Sequence, residues 1–263
     1  MERSKSSLLY WFPKIKNLGI PTPRTEIVTL TEQEKDTYYR GEGDCFNLER
    51  LTNKVSEIIQ ERFSLPVFLR TDEFSNKHLW GKSCYLDNLD NLQRNLFEII
   101  CGSKLADMMG LPIEAIVVRE FIQMDTRFRA FYGEMPVNPE RRYFIRNGKL
   151  ECHHAYWIED AVESGTPVEK LPKNWRQLAK EMNTETKKEV ELLTNYSQKI
   201  AEVIDGYWGI DYCKAKNGRW ILIDMAEGEK SWHPSKCKYS NMPSKPKEEI
   251  TKPALDFLIK KKD

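Results

Sequence analysis

The sequence predicts an α+β fold built on antiparallel sheet, and three observations carry that prediction. Strand-like stretches flank Asn147-Gly148 and again Asn217-Gly218, the dipeptide favoured in tight hairpins. Apolar residues recur at helical spacing over 48–63, 89–105 and 184–204, away from those hairpins. Elsewhere the strands follow one another directly, without the crossover helices that a parallel βαβ sheet needs.

The chain opens on an apolar run from Leu8 to Phe12, and GIPTPRT at 19–25 then brings two prolines into an extended or turning segment. Leu48, Leu51, Val55, Ile58, Ile59 and Phe63 predict a helix that Pro66 ends, and Val67-Phe68-Leu69-Arg70 reads as a short buried strand. Asp87 or Asn88 caps a second helix with Leu89, Leu92, Leu96, Ile99, Ile100 and Leu105 on its core side. Ile116 to Ile122 and Phe128 to Tyr132 are predicted strands, followed by a hairpin of RRYFIR and KLECHHAYW. A helix over Thr184 to Ile204 turns Val190, Leu193, Ile200 and Ile204 inward and stops at Gly206. WGIDYCKAK and RWILIDM make the second hairpin. The lysine- and proline-rich 234–263 stretch is expected to pack loosely except for Leu255 to Ile259.

The 263 residues are 40% hydrophobic and 31% charged, which supplies a sizeable core and excludes a wholly disordered chain. A net charge of +1 leaves no global field to recruit nucleic acid or an acidic membrane. The longest apolar runs are too short to span a bilayer, so a soluble cytoplasmic protein is expected. Cys45, Cys84, Cys101, Cys152, Cys213 and Cys237 lie far apart with no C-x-x-C pair, and are read as small apolar residues of a reducing compartment. The His153-His154 doublet lacks the other ligands a zinc site needs, which predicts no transition-metal site.

The second hairpin carries the most chemistry. A two-residue Asn217-Gly218 turn puts Asp211 opposite Asp224, on one face with Cys213, Ala215, Trp220 and Leu222. Facing carboxylates on an apolar sheet need compensation. A hard cation such as Mg²⁺, held by carboxylate oxygens and substrate phosphates, would supply it, and Glu227 can reach the same ion. The competing reading leaves one aspartate in solvent at the sheet edge or pairs each with an arginine.

The same arithmetic in the first hairpin sets Arg142 opposite His153. There it can meet a phosphoryl or carboxylate group, together with Arg129 from the preceding strand. Arg70, Lys77 and Lys82 gather at a strand end and the loop after it, as polyphosphate neutralisation requires, or as an ordinary solvated loop allows. Gly81-Lys82-Ser83 is not a P-loop, because Asn76 stands where that motif needs glycine. In AIVVREFIQMD, Glu120 suits a ribose hydroxyl and Phe121-Ile122 a base, with a plain amphipathic strand as the alternative.

The order of these pieces resembles the ATP-grasp superfamily. The likeness is above all to its clade marked by an Arg and two Lys residues and to the cell-division-cycle assembly factors for translation initiation. It rests on Arg70 followed by Lys77 and Trp80-Gly81, and on Arg127-Phe128-Arg129, which keeps the arginine of the family's E-[FY]-R strand but not its glutamate. It rests also on Asp224-Met225-Ala226-Glu227-Gly228, where the family carries E-x-N or E-x-G-D-G. About Leu8 to Pro234 is covered.

This resemblance implies an ATP-grasp fold: two α+β lobes with largely antiparallel sheets clasp ATP after a short N-terminal pre-grasp domain. The implied divisions are 1–64, 65–122 and 123–235, with 236–263 a lysine-rich tail. It implies ATP and Mg²⁺ as cofactors. Arg70 and Lys77, helped by Lys82, would hold phosphates, and Glu120, Phe121, Ile122 and Met225 would hold the nucleoside. Asp211, Asp224 and Glu227 would carry metal, and Arg129 and Arg142 would face the moving phosphoryl group. The implied activity is an ATP-dependent ligase that activates a carboxylate as an acylphosphate for attack by an amine or thiol. The alternative is an ATP-binding protein-interaction or assembly-factor module with little turnover. The acceptor is a small molecule or a protein, and no membrane or specific nucleic-acid partner is expected. A plain α+β domain without a nucleotide site remains a third reading.

Overall fold

A computed structural model describes residues 4–35, 48–107, 113–132, 134–234 and 237. Two four-stranded antiparallel sheets and one two-stranded sheet make up its β structure. The first sheet has the order β1-β4-β2-β3, from Thr25–Thr29 (β1), Val67–Thr71 (β2), Tyr85–Leu86 (β3) and Ala115–Glu120 (β4). Two helices back it, α3 (Glu49–Arg62) and α4 (Leu92–Asp107); the short α2 (Glu32–Lys35) precedes them. Leu51, Val55 and Ile59 recur at helical spacing and pack with Leu96, Ile99, Leu69 and Val118 in one core. Asn88 opens the approach to α4 by accepting from the Asp90 N–H, as the capping expectation required. The inward placement of Leu105 and the stretch beyond Cys237 fall outside the described residues and side chains.

The small sheet pairs β5 (Phe128–Ala130) with β6 (Met135–Val137) and packs under α5 (Glu159–Gly165) and α6 (Trp175–Asn183). Neither of these two helices is among the elements the sequence predicts. Yet Trp175, Ala179 and Met182 stand at i, i+4 and i+7, and all three are buried. The second large sheet has the order β10-β9-β7-β8, from β7 (Glu140–Arg146), β8 (Lys149–Ala155), β9 (Tyr207–Lys214) and β10 (Trp220–Glu227). One of its faces packs on α7 (Lys187–Ala201) and on α1 (Leu8–Ile15), whose Leu8, Trp11 and Ile15 are fully buried.

The N-terminal segment is therefore divided between the two cores: β1 extends the first sheet and α1 fills the second core. Asp72 fixes that arrangement. Its Oδ2 accepts from the Ser7 hydroxyl and its Oδ1 from the Glu114 and Ala115 N–H groups, tying α1 and β4 to the end of β2. No helix among the described residues is long and apolar enough to cross a membrane.

The two hairpins differ from the simple arithmetic in instructive ways. At Asn147-Gly148 both residues have positive φ (47° and 81°), the expected two-residue turn. A bulge at Glu151 then shifts the pairing, so Arg142 lies opposite His154 and not His153. In the second hairpin only Gly218 has positive φ, and the Ala215 N–H donates to the Arg219 carbonyl across a three-residue turn. That turn moves the pairing by one, and Trp220 and Leu222 sit in the helix-backed core instead of beside Asp211. A bulge at Ile223 moves it back, and Asp211 does face Asp224.

Candidate functional site

A cleft of about 340 Å³ lies between the two large sheets. Strand alternation decides which side chains line it. In β2, Val67 and Leu69 enter the first core while Phe68 and Arg70 face the cleft. In β7, Arg141 is buried on the helix side against Glu189 (2.7 Å), whereas Glu140 and Arg142 face the cleft. In β9, Ile210 and Tyr212 are core residues while Gly209 and Asp211 line the cleft. Gly209 is required there, because a Cβ would lie 2.5 Å from the Ser231 Oγ.

Across the second sheet the pairing sets Asp224, Asp211, Arg142 and His154 side by side in one row. The two aspartates do not face each other uncompensated. Arg142 grips Asp211 through both oxygens (2.7 and 2.8 Å), and Arg70 Nη1 lies 2.9 Å from Asp224 Oδ1. The forked, partly desolvated Arg142–Asp211 pair is of the strong kind. Burial opposes the Arg142 charge, but Asp211 outweighs it and raises the pKa. The Arg70 contact and the Met225 N–H both fall on Asp224 Oδ1, so neither engages Oδ2.

Lys77 sits over the Tyr156 and Trp157 rings at 4.4 and 4.7 Å, with its Nζ 3.9 Å from Glu140. Burial pulls its pKa down, but Tyr156, Glu140 and Asp211 together raise it, so the lysine stays charged. Burial pushes the Glu140 carboxyl up. Glu120 accepts from the Arg24 N–H (2.9 Å) at the end of β4, beyond which the chain leaves the sheet. Phe121 and Ile122 line the cleft there, with Trp80 and Tyr85 packed against Phe121.

The structure thus brings Arg70, Lys77, Glu120, Phe121, Ile122, Arg142, Asp211, Asp224 and Met225 to one cleft. It does not bring Lys82, Arg129 or Glu227. Lys82 is exposed, Arg129 donates to the Glu134 carbonyl (2.8 Å) on the small sheet, and Glu227 pairs with Lys230 at 3.0 Å. Among the described residues, Asp211, Asp224 and Glu227 do not converge as a three-carboxylate cluster.

Sequence reasoning missed Arg119. It is buried in the cleft wall, donates to the Ile223 carbonyl, and leaves its Nε without a hydrogen-bond partner. Burial and then the neighbouring Arg70 push its pKa down to about 9, with Asp224 the opposing influence. Its charge is thus buried beside a second cation, a placement that carries a desolvation cost. The signal was a charged residue within the apolar run AIVVRE. Also unforeseen is the convergence of Cys152 and His154 with His233 and Cys237 within 4.8 Å, which overturns the expectation that the histidine doublet lacks further ligands.

The family described as the ATP-grasp domain of the Arg-and-two-Lys clade, family 3, matches residues 59–245. Among solved structures, Cdc123 from Schizosaccharomyces pombe superposes with a TM-score of 0.53 at 14% identity, covering 85% of this chain and 83% of that one. A C-terminally truncated form of the same protein gives 0.54 at 14% identity, with 86% and 87% covered. VanG D-Ala:D-Ser ligase from Enterococcus faecalis gives 0.47 at 10% identity, covering 85% of this chain and 52% of that one. No curated protein sequence matches the chain.

Proposed function

The chain belongs to family 3 of the Arg-and-two-Lys clade of ATP-grasp domains, and from that membership we propose that its cleft holds Mg-ATP and activates a carboxylate for attack by an amine or thiol. The observation that carries this reading is the convergence of Arg70, Lys77 and Arg119 beside Asp211 and Asp224, next to an apolar slot. Arg119 Nε is a buried donor in need of an acceptor, and a phosphate oxygen is the acceptor that also answers its charge. Asp224 Oδ2, and Asp211 with it, are the hard oxygens a Mg²⁺ would take. When bound, Mg-ATP supplies the transferable phosphoryl group, which a substrate carboxylate receives as an acylphosphate.

The chain's own residues then have separate tasks. Arg70, Lys77 and Arg119 neutralise phosphate charge, and Arg142 steadies Asp211 while facing the reacting end. Glu120 takes a ribose hydroxyl. Phe121, Ile122 and Met225 hold the base, near the backbone that leaves β4. On this reading 1–64 is an N-terminal pre-grasp region, 65–122 and 123–235 are the two lobes, and 236–263 is a lysine-rich tail. The protein works in the cytoplasm on a small-molecule or protein acceptor.

One observation favours the second reading, an ATP-binding module with little turnover. Each cleft aspartate already has an arginine partner, a balance that stands without a metal. ADP release measured across a panel of carboxylates and amines separates the two. Acceptor-dependent turnover establishes the ligase, and tight binding with no acceptor-dependent turnover establishes the module.

A further inference from the structure

Beside the cleft, at the β8 edge of the same row, four donor atoms meet that no feature of nucleotide chemistry uses. Cys152 and His154 alternate on β8 and so share a face. His233 and Cys237 follow β10 at a spacing that lets both turn back onto that face. His154 Nε2 lies 3.3 Å from His233 Nδ1, Cys152 Sγ lies 3.9 Å from His233 Nδ1, and the two sulfurs are 3.9 Å apart. All four donors fall within 4.8 Å of one another.

We propose that Cys152, His154, His233 and Cys237 form a structural Zn²⁺ site. Bond lengths of ~2.3 Å to sulfur and ~2.0–2.1 Å to nitrogen in a tetrahedron put sulfurs ~3.8 Å apart, nitrogens ~3.3 Å apart and mixed pairs ~3.5 Å apart. Three of the six edges, at 3.3, 3.9 and 3.9 Å, match those of that tetrahedron to within about 0.4 Å, and the remaining three are no longer than 4.8 Å. Two thiolates cancel the charge of the ion, so the occupied site is neutral and suits its partly buried position. Four protein ligands leave no open coordination position, which marks the site as structural and not catalytic.

The surroundings are those of a ligand set. Tyr207 hydrogen-bonds His233 Nε2, which leaves Nδ1 as the coordinating atom, and Phe144 stacks on the ring with centroids 3.6 Å apart. His153, the other half of the doublet, points elsewhere: it meets Glu185 at 3.1 Å and stacks on Tyr143. The ion fastens the segment after β10 onto β8. Ser231 of that segment lines the cleft and the Trp232 carbonyl accepts from Arg142, so the zinc clip holds one wall of the cleft in place.

The test is metal analysis of the full chain purified without added metal or chelator, followed by Zn²⁺ titration of the stripped protein against a chromophoric chelator. One zinc per chain is expected, with Co²⁺ in its place giving thiolate-to-cobalt charge-transfer absorption and a tetrahedral ligand-field spectrum. Cys237→Ala should abolish stoichiometric zinc and that charge-transfer pattern, and Tyr207→Phe should weaken affinity about 10–100-fold. His153→Ala should leave the zinc in place. Absence of stoichiometric zinc in the wild-type chain, its retention in Cys237→Ala, or a Cys152–Cys237 disulfide in the unreduced chain overturns the proposal. None of these readouts involves nucleotide, so the cleft's function and the zinc site fail or stand separately.

Discussion

One row of the second sheet carries two unlike sites. At its centre Asp224, Asp211 and Arg142 are hard, charged groups that pair with one another and with Arg70. At its edge His154 joins Cys152, His233 and Cys237, a set of soft nitrogen and sulfur donors. The centre keeps its shape through ion pairs and leaves the buried Arg119 charge facing the cleft. On the zinc proposal, an ion sits at the centre of that edge set. On the two proposals, the contrast teaches that neighbouring positions of one strand row serve a reversible ligand and a permanent one, according to the chemistry of the side chains alone.

Asp211→Ala has the largest expected effect on that contrast. It strips Arg142 of its forked partner, and breaking a buried pair on one side costs ~3–5 kcal/mol. Urea denaturation should record that loss while zinc content stays at one per chain. Loss of zinc together with stability would join the two sites into one. Arg119→Ala comes next. Removing a charged donor is worth ~1.5–3 kcal/mol, or about 10–100-fold in nucleotide affinity, and should not alter the metal. Calorimetry with an ATP analogue reads it.

A smaller effect concerns pH. Burial, with Asp72 adding repulsion, raises the Glu73 carboxyl from 4.5 to about 7. Between those values the folded chain holds a proton that the unfolded chain has lost, so this group's contribution to stability falls as pH rises through the window. Glu73→Gln should flatten the stability profile between pH 4.5 and 7. An unchanged slope would mean that Glu73 titrates normally. Lys82→Ala and Arg129→Ala should do least, within ~0.5 kcal/mol of stability and about twofold in affinity, because both side chains lie outside the cleft. A large effect from either would move the phosphate path away from Arg119.

The sequence reveals more of the centre than of the edge, for physical reasons. Hairpin periodicity is local, so Asp211 and Asp224 can be set opposite each other from a turn dipeptide alone. The result holds because a longer turn and a bulge at Ile223 cancel. The uncancelled bulge at Glu151 displaces His154 from its expected register, and with it the metal ligands. Arg119 stays hidden because its worth depends on which face of β4 meets the second sheet. His233 and Cys237 reach β8 only through the fold, and no local spacing announces them. Helix α6 is legible in Trp175, Ala179 and Met182, but the polar residues between them mask the period.

The most direct test of the cleft is calorimetric titration of the full chain with a slowly hydrolysed ATP analogue, with and without Mg²⁺. The proposed site predicts binding that requires Mg²⁺, is lost in Asp224→Asn and is weakened in Arg119→Ala. No binding under either condition, or equal binding with and without Mg²⁺ in both wild type and Asp224→Asn, would contradict it.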